Sequence, residues 1–226
     1  MTRTWSSASG TRPGEASVED VFGAVLGALR AHHVAVGAHA LAYAETGGGL
    51  HLPAPQPFAW AMPPVVASDV PVQQTYSAVA AGDDEAAQQL RAANMNTEQA
   101  VQAAQATARD GTGQAADQFR KDKNLDSFKQ RMEELRRKTK KAADDAIDKS
   151  FDAAENIGAR FPKSQDTILA VTTKVVNFID GVVTSIVNFV TNLINNIVDW
   201  VEHAWDKIKG FFESVGDTIG HFFAGL

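Results

Sequence analysis

The sequence predicts an all-α fold: an elongated helical hairpin plus a long amphipathic C-terminal helix, with a Pro-rich linker ahead of them. Three observations predict it. Apolar residues recur at three- and four-residue steps along most of the chain. The segment from about Asp83 is rich in Ala, Gln and Glu, which are good helix formers. The final quarter repeats every eleven residues, which is three helical turns at about 3.67 residues each. These divide the chain into a tail and N-terminal helix (1–46), a Pro/Gly-rich linker (47–82), a hairpin (83–162) and a repeat helix (163–226).

Composition narrows the class. The chain has 226 residues, enough for one or two domains, and a net charge of −6, which does not favour nucleic acid as a partner. Charge is uneven: residues 118–162 carry twelve bases against nine acids, and the segments on either side are acidic. With no cysteine, disulfide frameworks, thiolate metal sites and cysteine nucleophiles are excluded. The N-terminus MTRTWSSASGTRPGEAS lacks an apolar core, so a cleaved signal peptide is not expected.

Residues 1–16 read as a loose polar tail. From Val18 to Tyr43, Val21, Phe22, Val25, Leu26, Leu29 and Val36 recur on one helical face. Ser17 followed by Asp20 reads as the N-cap, and Thr46-Gly-Gly-Gly as the stop. Residues 47–72 hold six prolines, so this stretch is a linker with Phe58 and Trp60 as its large side chains. A helix is expected from about Asp83 to Ala108, broken by Asp110-Gly-Thr-Gly113. A second runs from about Gln114 to Ala159, closed by Pro162. Its stripe (Phe119, Leu125, Phe128, Met132, Leu135, Ala142, Ala146, Ala153, Ile157) suits one neighbouring helix. The basic run RRKTKK, Arg136 to Lys141, reads as a solvated face.

After Pro162 four apolar series keep an eleven-residue count. Val175, Ile186, Ile197 and Ile208 form one, and Ile168, Ile179, Val190 and Val201 another. Val171, Val182 and Leu193 belong to a third. Phe178, Phe189, Trp200, Phe211 and Phe222 form the fourth, an aromatic series at one edge of the stripe. Asn177, Asn188 and Asp199 keep the same count on the polar side. Asn192, Asn195 and Asn196 interrupt the only uncharged stretch, Gly181 to Val198. That stretch is about 27 Å as helix, barely a membrane span. The expectation is a two-faced rod whose stripe is covered by something outside itself, with a bend near Gly210. The occupant is a membrane surface, a helical partner or a copy of the chain.

No catalytic, cofactor or metal site is expected. His32 and His39, and His203 and His221, could share helix faces, but lack carboxylates at ligand spacing. The glycines at 47–49 and 111–113 follow helices rather than strands, against phosphate binding. Asp83-Asp84 and Asp144-Asp145 lie on stretches read as exposed, without the burial that acid–base work needs.

The stretch AAQATARDGTGQAADQFR, Ala103 to Arg120, resembles the turn of WXG-type helical hairpins, small substrates of type VII (ESX) secretion. Gly113, Ala115, Ala116 and Phe119 match the Gly-x-Ala-Ala-x-x-Phe part, and Gly111 stands where tryptophan is expected. The resemblance implies a hairpin turn at Gly111, Gly113 and Phe119. It also implies a leaderless secreted protein that works by interaction. The repeat tail looks like phage tape-measure proteins and like the hydrophobic connector of some large type VII effectors. The leading expectation is a non-enzymatic, secreted interaction protein, with the cell envelope as its place of association. The alternative is a structural, tail-like protein, cytoplasmic or in a virion, that assembles through helix–helix contacts.

Overall fold

The structure, a computed structural model, describes residues 22–31, 33–34, 84–197 and 205–226. Among these residues the secondary structure is helical throughout: α1 (Phe22–Ala31), α2 (Asp84–Asp122), α3 (Leu125–Arg160), α4 (Gln165–Asn195) and α5 (Trp205–Ala224). A 3-10 turn, Pro162–Ser164, joins α3 to α4. The proline-rich linker, Ser17, Asp20, Val21 and Val36 lie outside the described residues, as do His32, His39, His51 and His203.

Each consecutive pair from α2 to α5 runs antiparallel. Arg160, at the end of α3, donates to Gln89 and Glu85 at the start of α2 (3.0 and 3.2 Å). α4 turns back along α3 after Pro162, which fits the first position of a helical turn because it has no N–H to lose. α5 returns beside α4 and closes on α2, where Gln105 Nε2 donates to the Phe212 carbonyl. The result is an up-down-up-down four-helix arrangement, with α1 laid over α3 and α4. Its core runs continuously from Phe22 and Leu26 in α1 to Phe223 in α5.

The hairpin turn is not where the glycines suggested. α2 continues as helix through Asp110-Gly-Thr-Gly113 and ends at Asp122, so Gly111, Gly113 and Phe119 are helical. The chain reverses at Lys123, the only described non-glycine residue with positive φ (51°), and Asn124. Asn124 caps α3 by accepting the Ser127 N–H at 3.0 Å, and Asp122 accepts the Asn124 N–H at 2.9 Å. The Asp122 carboxyl is thereby held below its usual range, first by the Asn124 N–H and then by Gln118. Gly111 serves packing instead. A Cβ there would come within 2.6 Å of the Leu135 side chain, so its absence lets α3 approach. Phe119 does lie at the real turn, its ring 5.6 Å from that of Phe128.

The single rod expected over 163–226 is also corrected. α4 ends at Asn195 and α5 begins at Trp205, and the two fold back on one another. The bend is not at Gly210, which is helical and has open space where a Cβ would stand. Folding back buries Ile208, Phe211, Phe212 and Ile219 against the rest of the bundle. At about 1.5–3 kcal/mol per large apolar side chain, that burial favours the folded-back arrangement.

Nor does α3 meet a single neighbour. It packs on α2 and α4 and carries α1, so Ala143, Ile147, Phe151 and Ala154 are buried beside the expected stripe, while Leu125 is exposed. The basic run is only partly solvated. Lys138 and Lys141 are exposed and paired with Glu134 and Asp145, whereas Arg136 is 3 % exposed and bound to Glu133 at 2.6 Å.

Candidate interaction face and the α1 clasp

The apolar stripe is the candidate site, and its geometry follows from the eleven-residue count. Three turns bring residue i+11 back to almost the same side of the helix, so each series stays on one line along α4. Ile168, Val171, Val175, Ile179, Val182, Ile186, Val190, Leu193 and Ile197 are all buried, as is Ile208 in α5. Val201 and Trp200 lie outside the described residues. The stripe is therefore covered from within the chain, by α2, α3 and α5, and not left bare as the sequence suggested. The physical reason is that α3 packs along α4, and α5, docked on α2, closes the remaining edge with its phenylalanine rings.

The aromatic series supplies the contact between those halves. Phe178 stacks on Phe222 with centroids 3.7 Å apart, and Phe189 on Phe211 at 3.9 Å. Phe223 and Phe212 add edge-to-face contacts to the same α4 rings, at 6.0 and 5.6 Å. Such pairs contribute about 0.5–1.5 kcal/mol each beyond their area. Phe178, Phe189 and Phe211 are buried and Phe222 is half-buried.

The segment Pro162–Asn195 is also the one helix among the described residues long and apolar enough to cross a membrane, with a mean hydropathy of 1.4. Length and composition alone give this, and the core helix of a soluble bundle passes the same test. On its polar side α4 exposes Asn177 and Asn188.

α1 clasps α3 to α4 through two polar contacts that the sequence did not bring together. Arg30 Nε donates to Asp148 at 3.0 Å, and its Nη2 reaches Asp152 at 2.6 Å and the Asp148 carbonyl at 3.0 Å. These carboxylates hold the guanidinium above its ordinary pKa. One turn on, His33 is 6 % exposed. Its Nδ1 lies 3.0 Å from Asp180 of α4 and its Nε2 3.6 Å from Asp144 of α3. Lys140 holds the same Asp144 at 2.9 Å. Burial pushes the Asp180 carboxyl above its ordinary range, with His33 pulling the other way. Asp144 was expected on an exposed stretch; here it faces α1. The carboxylates are 111 and 147 residues from His33 in the chain, so no spacing rule could have found the cluster. On the apolar side of α1, the Phe22 ring lies where a Cβ on Gly158 would stand.

The cluster is closed over by α1. Among the described residues no group of three or more His, Asp or Glu is placed to hold a metal ion. An open groove of about 260 Å³ runs between α2 and α3, lined largely by Ala100, Ala103, Ala104, Ala142 and Ala146. It marks how small the residues are at that seam. No protein-family model, curated protein or solved structure matches the chain.

Proposed function

We propose that the chain is a non-enzymatic interaction protein that stores an apolar helical pair, α4–α5, within a hydrophilic sheath and delivers it to a membrane surface. One observation carries this reading. The helix apolar enough to enter a bilayer is covered by α3 and α2, and α2 buries only Leu90, Val101 and Phe119 as large apolar side chains, beside six alanines and four polar residues. Small side chains gain little from each contact, about 0.8 kcal/mol per buried CH₂. α2 is thus the part of the sheath that separates most easily, while the α1 clasp ties α3 to α4. A protein surface in place of lipid is the competing outcome.

Export by a type VII-like route is the accompanying proposal. It rests on the resemblance of Ala103–Arg120 and on the antiparallel pairing of α2 with α3. The placing of Gly113 and Phe119 inside α2, short of the turn, weighs against it.

Flotation with vesicles tests the membrane reading. The chain has no cysteine, and Gln105 lies 3.6 Å from the Cβ position of Gly216. That neighbour is the Gln105 amide nitrogen at the end of its side chain, so a Gln105→Cys, Gly216→Cys variant can be bridged by a short bis-maleimide, pinning α5 to α2. The full chain is expected to float with phosphatidylcholine vesicles before cross-linking and to stay behind once cross-linked. Equal flotation in both states, or none in either, would overturn the membrane reading. Capture by a protein in the second case would favour the competing one.

A further inference from the structure

The groove on the α2–α3 seam holds a buried hydroxyl with nothing to bond. Thr139 lines the groove and is 1 % exposed, and its Oγ1 has no hydrogen-bond partner among the described residues. The other threonines of the hairpin behave differently. Thr97, Thr107 and Thr112 each donate to the carbonyl four residues back, at 3.1, 2.8 and 2.7 Å. For Thr139 that carbonyl belongs to Leu135, and the hydroxyl does not take it. A buried polar group left unpaired costs stability, so its place in an open groove points to a partner from outside the chain.

The register gives the groove two ends. Gly111 faces Leu135. In an antiparallel pair Thr107, one turn back, then falls level with Thr139, one turn on. On the same count Ala104 is level with Ala142, and Ala100 with Ala146, so the alanines floor the stretch beyond Thr139. As helix, Ala100 to Thr107 spans about 10 Å and Lys138 to Lys149 about 16 Å. Thr107 Oγ1 is spent on the Ala103 carbonyl, so the polar end offers donors, the Thr139 hydroxyl and the Lys138 ammonium. Lys138 is held only by an exposed pair with Glu134, a contact that is readily exchanged. The acid on the rim, Asp145, is taken by Lys141 at 2.7 Å. At the far end the stem of Lys149 adds apolar surface.

We infer that this groove binds a free, single-chain apolar carboxylate, a medium-chain fatty acid. Its carboxylate accepts from the Thr139 hydroxyl and pairs with Lys138, and its chain lies along Ala104 and Ala142 towards Ala100 and Ala146. An ionised carboxylate only accepts, which complements the donors at the polar end. The width argues for an alkyl chain. At about 260 Å³ the groove is smaller than the about 300–1,000 Å³ of sites for drug-sized ligands. A helix, about 10–12 Å across, is too wide to enter it. Binding here needs neither a bilayer nor the opening of α4–α5, so it stands apart from the membrane reading.

Calorimetric titration of the full chain with decanoate, kept below its micellar concentration, tests the site. One saturable site per chain is expected. From hexanoate to decanoate the affinity should rise by up to about fourfold per CH₂. Thr139→Val keeps the shape and removes the hydroxyl. It is expected to weaken decanoate about tenfold, while the unliganded variant, relieved of an unpaired group, unfolds in urea no earlier than the parent. Lys138→Glu should weaken binding and abolish its salt dependence. Ala142→Phe fills the groove from a half-buried position and should abolish binding. If that variant does not fold, the Thr139 and Lys138 arms still decide. Decyltrimethylammonium, with the same chain and the opposite charge, should not bind. No saturable site for decanoate would overturn the proposal. So would affinity unchanged in Thr139→Val and Lys138→Glu, since the chain would then sit elsewhere in the bundle. Equal binding of decyltrimethylammonium would overturn it as well, by showing apolar partition without recognition of the carboxylate.

Discussion

α2 meets α3 along an alanine-lined seam, with Gly111 against Leu135 and Phe119 on Phe128 near the turn, whereas α4 meets α5 through stacked phenylalanine rings. The first pair brings its backbones close and draws on helix propensity, a coded turn and side-chain pairs such as Lys141–Asp145. The second stands further apart, and its strength lies in a few large buried side chains. The difference teaches that one bundle can contain a hairpin specified locally and a hairpin specified only by what it buries.

The comparison breaks first if large side chains do not dominate the second pair. Phe212→Ala, at a fully buried site, is expected to cost about 3–5 kcal/mol in urea unfolding. A loss near that of an exposed alanine substitution would mean α5 is not docked. The first pair should fail by the opposite change. Gly111→Ile is expected to cost about 1–3 kcal/mol by overpacking against Leu135. Leu135→Ala should recover part of the loss when combined with it. No recovery would mean that Gly111 does not face Leu135.

The turns should differ as well. Asn124→Ala removes the cap on Ser127 and is expected to cost about 0.5–2 kcal/mol. Asn196→Ala, at the exposed end of α4, should stay within about 0.5 kcal/mol. Equal effects would mean that the second reversal is as locally coded as the first.

Much of the fold was legible in the sequence. The helical character of every described element follows from three- and four-residue spacing, and the buried positions of α4 follow from the eleven-residue count. Two features misled. Gly111 and Gly113 read as a breaker because glycine disfavours helix by about 1 kcal/mol, yet close packing against Leu135 makes a missing side chain an advantage. The better signal was a few residues on, where Asn124 followed by Asp126 has the make-up of a helix start. The second feature was the unbroken stripe, which gives no mark of where, or whether, it folds back. Its coverage by α2, α3 and α5 depends on contacts far apart in the chain. The same holds for His33 with Asp144 and Asp180, which no periodicity connects.

The clasp gives a smaller, pH-dependent effect. Because burial raises the Asp180 carboxyl, the folded chain holds a proton there more readily than the unfolded chain. The stability this contributes is fully present below the ordinary aspartate range and is lost as pH rises through the raised value. Asp180→Asn is therefore expected to be at least as stable as the parent near neutral pH, with the parent gaining on it as pH falls towards about 4. Urea midpoints across that range check the sign; a parent that loses ground in acid would contradict it. Arg30→Ala, a largely solvent-facing pair, should loosen α1 by about 0.2–1 kcal/mol, read as faster amide exchange in residues 22–31 alone.

The central claim is that the C-terminal stripe is covered inside its own chain, and thiol labelling tests it most directly. In a chain without native cysteine, Val190→Cys sits at a fully buried stripe position and Asn177→Cys at an exposed one. In the full-length native protein, diluted until it is monomeric, Val190→Cys is expected to react at least about a thousandfold more slowly than Asn177→Cys, in keeping with global opening energies of several kcal/mol. Reaction of the two thiols at similar rates would show an uncovered stripe and contradict the account.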